Sequence, residues 1–432
     1  MLDVAIVGGG PGGLALARAL QVKAPALRVQ VFERASGLHK RGAGVAIAPN
    51  GTAALRAIDP PLADKILATS LERNLVVVED AQGREMSRQL MTFGALGKAP
   101  GQAMDGLIPW HAMQRLLAES LGEGAVAYRK AFAGLDLAPA GGGAVVRFAD
   151  GSSAAARLVV GADGLLSQVR EAWLGDGGPT FDNRVIFRGQ ARSADVAALA
   201  AWAAGVGGGE GGGVPDSRIC PTGQDLMAMV YMLSEGVTVW AVNAGYGVVK
   251  DCGVDYAPYA RSGETRASLM EPEAAGAACF EEALKLADKL PATVLRVADP
   301  STTTIHGDYV RYPKDYPDTA LGAGPVTLVG DAFHPLKVAG QGANLAFEDA
   351  AVLAHHLAAA GPTEAALRAY EAERLPRLRT LAEFNITTMN SAAKAAGQDY
   401  QELKRRQAEF EEAVVHAFPP PGSAPRAAPV SC

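Results

Sequence analysis

The chain alternates apolar runs with helical stretches at both ends and turns strand-rich in the middle. Val4–Val7 is an unbroken apolar run, Gly8–Gly13 follows as a glycine-rich turn, and Leu14–Leu20 takes up helical spacing. A second apolar run, Val29–Phe32, completes a strand–turn–helix–strand unit. Two later runs, within Arg157–Gly164 and Pro325–Asp331, read as strands that break at glycine and aspartate. Leu345–Leu353 has helical apolar spacing and is entered through the glycine-rich Ala339–Asn344. In the middle, Leu226–Leu233 and Val237–Asn243, joined by Ser234–Gly236, read as a β-hairpin. Its period-two set Met227, Met229 and Tyr231 faces a ligand, or the opposite set does, or both faces are core. After Pro362 the pattern is helical to about Ala417, with an interruption expected near Pro376, and the proline-rich end reads as disordered.

The glycine turn carries the first chemistry. In Gly8-x-Gly10-x-x-Gly13, Gly8 permits a tight turn, Gly10 lets the backbone approach a pyrophosphate, and Gly13 allows close packing of helix on sheet. Phosphates would then meet a helix N-terminus. Glu33 ends the second strand 20 residues beyond Gly13 and can accept hydrogen bonds from a ribose 2′-hydroxyl, which disfavours NADP here. NAD and the adenosine half of FAD remain. Asp163-Gly164 and Asp331 end their strands where ligands of open α/β sheets bind. The second glycine-rich helix entry can polarise the pyrimidine end of an isoalloxazine, so the later motifs favour FAD.

With these motifs in view, the chain resembles the single-component, class A FAD-dependent aromatic hydroxylases of the para-hydroxybenzoate hydroxylase type over about residues 1–390. The resemblance rests on the glycine fingerprint with Glu33-Arg34, on Gly42–Gly51, Gly161–Gly164, Gly330-Asp331, Gly340–Gly342 with Asn344, and Tyr370–Arg377. It implies an α/β fold: a three-layer, Rossmann-like FAD-binding domain (1–70, 105–180 and 300–365) interleaved with a β-sheet substrate domain (71–104 and 181–299). A C-terminal helical segment (366–417) and a disordered tail (418–432) follow. It further implies that Gly8, Gly10, Pro11, Gly12, Gly13, Glu33, Arg34, Arg41, Gly44 and Val45 serve the cofactor. Asp163 and Gly164 would serve both FAD and NAD(P)H docking, Asp331 the ribityl or pyrophosphate region, and Gly340, Gln341, Gly342, Ala343 and Asn344 the flavin ring. Many relatives place an arginine where this chain has Trp110, which makes Arg115 a substitute candidate. The His334–Gly340 segment is about one residue shorter than is usual there. Met227, Met229 and Tyr231 would floor the substrate pocket.

The same resemblance implies NADH or NADPH as transient donor, O2 as co-substrate, a flavin C4a-hydroperoxide, and a small aromatic or polycyclic substrate. Arg188 and His334 are the candidate catalytic residues, Arg188 to orient an anionic group or steady the flavin, His334 to shape its loop or move a proton. His111 and His306 are isolated and read as packing or surface histidines. An isoprenoid epoxidase or reductase on the same fold, and a non-catalytic FAD-binding module, are the alternatives.

Composition narrows the classes further. The 432 residues are 49% hydrophobic with a net charge of −6 and no basic stripe, which argues against a nucleic-acid partner. No apolar run reaches the roughly 18 residues of a membrane span. The four cysteines have no close pairing, so neither a disulfide framework nor a metal site is expected. The N-terminus lacks a signal-like core, making the cytoplasm the default, an organelle not excluded, with the protein a monomer or homodimer. Gly205–Gly213 reads as a tolerated flexible insertion.

Overall fold

The computed structural model describes residues 1–38, 44–71, 73–80, 84–92, 105–138, 142–191, 217–221, 225–256, 272–290, 295, 298–317, 320–336, 340–389 and 417–422. Arg41 and the Gly205–Gly213 segment lie outside the described residues.

Strand β1 (Leu2–Val7) is sealed on both faces, with Val4, Ala5 and Ile6 at 0% exposure, as a central parallel strand must be. Helix α1 (Pro11–Lys23) follows, then β2 (Val29–Phe32), β3 (Gly44–Ile47), α2 (Pro49–Ile58), α3 (Pro60–Thr69), β4 (Arg73–Glu79) and β5 (Glu85–Thr92). Next come β6 (Gly106–Pro109), α4 (Trp110–Glu119), β7 (Val126–Ala127), β8 (Phe132–Leu137), β9 (Ala144–Phe148), β10 (Ser153–Gly161) and α5 (Gln168–Leu174). The chain continues through β11 (Thr180–Gln190), β12 (Ser217–Pro221), β13 (Leu226–Met232), β14 (Thr238–Gly245), α6 (Tyr246–Asp251) and α7 (Pro272–Leu284). It closes with β15 (Thr304–Val310), β16 (Val326–Leu328), α8 (Gly342–Ala360) and α9 (Glu364–Met389).

The first sheet runs β7-β2-β1-β10, with β16 beside the C-terminal half of β10 and the antiparallel pair β9-β8 on its N-terminal half. Its parallel strands reproduce the 3-2-1-4-5 order of a doubly wound dinucleotide fold. Their registers pair Val7 with both Phe32 and Gly161, and Gly161 with Leu328. The residues that follow each strand, Gly8, Glu33, Ala162-Asp163 and Val329–Asp331, therefore line one edge. That edge is the C-terminal one, where the topology opens a crevice.

The second sheet runs β15-β11-β14-β13-β12-β4-β5. The expected hairpin is β13 and β14, turning through Ser234–Gly236, with Glu235 in the left-handed region at φ 58°. One face, with Val185, Phe187, Leu226, Ala228, Val230, Trp240 and Val242, forms a core with Cys279 and Phe280 of α7. β4 and β5 join this sheet from the early insertion, and β15 joins it from 304–310, beyond the expected 181–299 segment.

Helix α9 runs through Pro376 without the expected interruption. Arg374 and Arg377 are both anchored on buried Glu348, and Leu375 and Leu378 are sealed, so tertiary contacts hold the helix across the missing N–H. Of the tail expected to be disordered, the described part 418–422 is anchored: Phe418 packs on the main core, and the Gly422 amide donates to Glu373 at 3.1 Å. Apolar burial outweighs the local proline bias there. Residues 390–416 and 423–432 lie outside the described residues. No helix among the described residues is long and apolar enough to cross a membrane.

Candidate active site

The glycine turn is built by close approach. Gly8 sits at φ 119°, and a Cβ there would lie 2.2 Å from the Ala162 carbonyl oxygen. A Cβ on Gly13 would lie 2.1 Å from the Gly8 carbonyl oxygen, and one on Gly12 would lie 3.1 Å from Ala346 of α8. Gly10 differs, because a Cβ there meets nothing within 4 Å. Gly8 and Gly13 thus satisfy the fold, while Gly10 faces open space at the α1 N-terminus. Pro11 opens that helix and no side chain caps it, which leaves its N–H groups for an anion.

Glu33 is pinned at the rim of the turn. Its Oε2 accepts from the Gly9 amide at 2.7 Å and its Oε1 from the Ala35 amide at 2.8 Å, with lone pairs left for a ribose. Arg34 is exposed beside it. From α4, buried Gln114 donates to the Gly9 carbonyl at 2.7 Å. Sequence reasoning missed Gln114 and favoured its neighbour Arg115. Arg115 instead pairs with Glu235 of the hairpin at 2.5 Å and with Glu119 at 3.8 Å, and Trp110 packs on the core.

Asp163 is committed to its own helix. Its carboxylate accepts from the Ser167 hydroxyl and from the Gln168 and Val169 amides at 2.5, 2.7 and 3.1 Å, which caps α5. Burial still pushes its pKa up against those bonds. Gly164, at φ 82°, has open space where a side chain would be. Asp331 keeps accessible surface at the strand edge, yet desolvation raises its carboxyl; the charge of His334 opposes this and that of Asp349 adds to it. A Cβ on Gly342 would stand 3.5 Å from Asp331 Oδ1, so Asp331 lies beside the α8 N-terminus.

That N-terminus is also free of a side-chain cap. Gly340 turns into it at φ 71°, and Ala343 is half-buried in its first turn. Gln341 and Asn344 are clamps. Asn50 donates to Gln341 Oε1 at 2.9 Å, while Asn344 bonds the Ala46 and Gly340 carbonyls and the Ala48 amide at 2.9, 2.8 and 3.1 Å. These bonds tie α8 to β3 and α2, where Val45 is buried.

His334 is not placed to act on a substrate, which corrects its candidacy. Its ring is fully buried, Nε2 lies 2.5 Å from Asp349 Oδ2, and Nδ1 is sealed without a partner. Asp349 also accepts from the Gly330 amide at 2.8 Å and from Arg374 Nε at 2.7 Å. Glu348 beside it binds Arg374, Arg377 and Asn50. Burial raises both carboxyls, but the neighbouring cations outweigh it and hold them below the usual range. Arg170, 3% exposed, donates to the Ala332 and Phe333 carbonyls at 3.1 and 2.8 Å and shares Asp176 with Arg311. The loop carrying Asp331 is therefore fixed from two sides, by Arg170 and by Asp349 with Arg374.

The second sheet supplies the other wall. Cross-strand register places Thr304, Arg188, Ala241 and Met229 in one row and His306, Ile186, Asn243 and Met227 in the next. Tyr231 follows two residues on, so Met227, Met229 and Tyr231 share the face opposite the α7 core. These three, with Ile186, Arg188 and His306, keep accessible surface, whereas their neighbours facing the other way are sealed. The Gly44 amide approaches the Tyr231 hydroxyl, and a Cβ on Gly44 would lie 2.5 Å from Leu233, so this face is joined to β3. At the other end the Arg311 amide donates to the Pro335 carbonyl at 3.1 Å. Desolvation raises the Tyr231 phenol against the nearby Arg188 charge and lowers the Arg188 pKa. Arg188 has no ion pair among the described residues, and its Nε is buried without a hydrogen bond.

An open glycine at one uncapped helix N-terminus, a carboxylate with free lone pairs beside it and a second uncapped helix entry fit FAD, on a doubly wound fold with an attached sheet. A family described as FAD binding domain matches residues 283–385. The chain is 31% identical to a 3-amino-4-hydroxybenzoate 2-monooxygenase of Streptomyces cremeus over 384 residues, covering 87% of this chain and 84% of that one. It is 29% identical to the 6-methylsalicylate 1-monooxygenase atA of Aspergillus terreus over 399 residues, 87% of this chain and 80% of that one. Among solved structures, Klebsiella pneumoniae HpxO with FAD and uric acid superposes at a TM-score of 0.65 with 22% identity, covering 96% of this chain and 95% of that one. CtdE with FAD superposes at 0.69 with 18% identity, 95% and 98% covered. The chain belongs to the class A FAD-dependent aromatic monooxygenases.

Proposed function

We propose that the protein hydroxylates a small aromatic acid, using O2 and electrons from NADH or NADPH. The observation that carries the substrate class is Arg188: a desolvated guanidinium with no ion pair among the described residues, on the accessible face of the second sheet beside Met227, Met229 and Ile186. Burying a cation without a counter-ion is costly, and an anionic ligand supplies the missing charge. The relatives named for hydroxybenzoate and methylsalicylate substrates support the same class.

In this reading Glu33 and the α1 N-terminus hold the adenosine and pyrophosphate of FAD, and the α8 N-terminus faces the flavin ring. FAD, when bound, supplies the oxygen-activating redox chemistry. Arg188 orients the substrate anion, Met227, Met229 and Ile186 exclude water along the ring, and Tyr231 keeps its phenolic proton as a donor.

The test is binding to the FAD-loaded protein of 4-hydroxybenzoate against the neutral 4-hydroxybenzamide. A hydrogen bond to a charged group contributes about 1.5–3 kcal/mol. The wild type should therefore prefer the acid by roughly 10- to 150-fold, and Arg188→Met should abolish the preference. Equal affinity of the wild type for acid and amide would overturn the reading.

A further inference from the structure

His306 departs from the packing histidine that its isolation in the sequence suggests. It lies in the middle of β15, directly opposite Ile186 and one row from Arg188, on the face turned away from the α7 core. Its strand neighbours Ile305 and Gly307 are sealed, while His306 itself is half-buried. The ring makes no hydrogen bond and no ion pair with any described residue. Around it stand Thr304 and Asp308 on its own strand, Ile186 and Arg188 on β11, and Asn243 beyond. Asn243 is already engaged, its Oδ1 accepting from Arg184 at 2.6 Å. Desolvation, reinforced by the Arg188 charge, pushes the His306 pKa down to about 3, so the imidazole is neutral across the working range of pH.

A neutral imidazole offers one donor and one acceptor. Side chains offset diagonally on neighbouring strands stand about 7–8 Å apart, the reach of a substituted ring. We propose that His306 is a specificity-determining residue that hydrogen-bonds a hydroxyl or amino substituent on the aromatic ring whose anionic group is held by Arg188. This deepens the aromatic-acid reading and rests on it. The chemistry is selective because an unpaired cation attracts the anion while the neutral ring accepts a hydrogen-bearing group. A methyl or unsubstituted edge would leave the imidazole unpaired, at a cost in affinity.

The experiment compares dissociation constants of benzoate, 3-hydroxybenzoate and 4-hydroxybenzoate for the FAD-loaded wild type, His306→Phe and His306→Gln, with the acid-against-amide pair as an internal control. The wild type should bind at least one hydroxybenzoate about 5-fold more tightly than benzoate, the effect of one neutral hydrogen bond. His306→Phe should bring that ratio to about 1, and His306→Gln, which keeps a neutral donor and acceptor, should retain most of it. Because the ratio is taken within each variant, a general loss of stability does not move it. If the wild type shows no hydroxyl preference, or His306→Phe keeps the full preference, the assignment of His306 is wrong. In that case a surviving preference for acid over amide leaves the Arg188 reading standing, whereas its loss removes both.

Discussion

Replacing Arg374 with methionine should destabilise the protein by about 3 kcal/mol, the lower end of the 3–5 kcal/mol seen when one partner of a buried ion pair is removed. Arg374 is 2% exposed and bridges Glu348 at 2.6 Å and Asp349 at 2.7 Å, both fully buried. The lower end applies because each carboxylate keeps other partners. Glu348 retains Arg377 at 2.7 Å and Asn50 at 2.8 Å, and Asp349 retains His334 at 2.5 Å and the Gly330 amide at 2.8 Å. Urea unfolding followed by tryptophan fluorescence measures the loss. Asp64→Asn is the control, since the Asp64–Arg56 pair at 3.2 Å is exposed on both sides and should contribute under about 1 kcal/mol. The sign with pH also follows. Glu348 and Asp349 are held below their ordinary 4.5 and 3.8, so their ionised form stabilises the fold above those values and the benefit is lost as pH falls through the lower folded values. The Arg374→Met penalty should be complete at neutral pH and shrink as falling pH protonates the carboxyls that the variant leaves with fewer cations. A penalty under about 1 kcal/mol at neutral pH would refute the reasoning.

Gly8→Ala and Gly10→Ala should behave oppositely: the first collides with the Ala162 carbonyl and should impair folding, read by thermal melting. The second meets no protein atom, so melting of the FAD-free protein should stay near wild type while FAD is lost on gel filtration. Glu33→Gln keeps one acceptor oxygen for the Gly9 and Ala35 amides and loses the charge toward the ribose; FAD affinity by equilibrium titration should fall about 10-fold, a hydrogen bond's worth. His306 has a depressed pKa, so the unfolded chain binds its proton first. Wild-type stability should fall relative to His306→Gln as pH drops below about 6.5, by at most 1.4 kcal/mol per pH unit in urea titrations.

The parts legible in the sequence are those with local cause. β1, α1 and β2 follow from an apolar run, a glycine turn and a helical period, and the strand-ending Asp163 and Asp331 arrive on the sheet edge because parallel register carries them there. What was not legible depends on partners far along the chain. His334 resembles a proton carrier in its motif, yet Asp349 and the surrounding core seal it. Arg115 carries the charge expected near the cofactor, but Glu235, 120 residues away, takes it up and leaves the contact with the glycine turn to Gln114. Pro376 has the local signature of a break, overridden by ion pairs to α8. His306 had no motif at all, and only the pairing of β15 with β11 sets it near Arg188.

Anaerobic titration of the FAD-loaded protein with NADH and with NADPH, in the presence and absence of 4-hydroxybenzoate, tests the central claim most directly. The flavin absorbance should bleach with at least one nucleotide, faster when the aromatic acid is present, and readmitted oxygen should restore it with formation of a hydroxylated product. Flavin that neither nucleotide reduces, or reduction followed by reoxidation without any product from aromatic acids, would contradict the account.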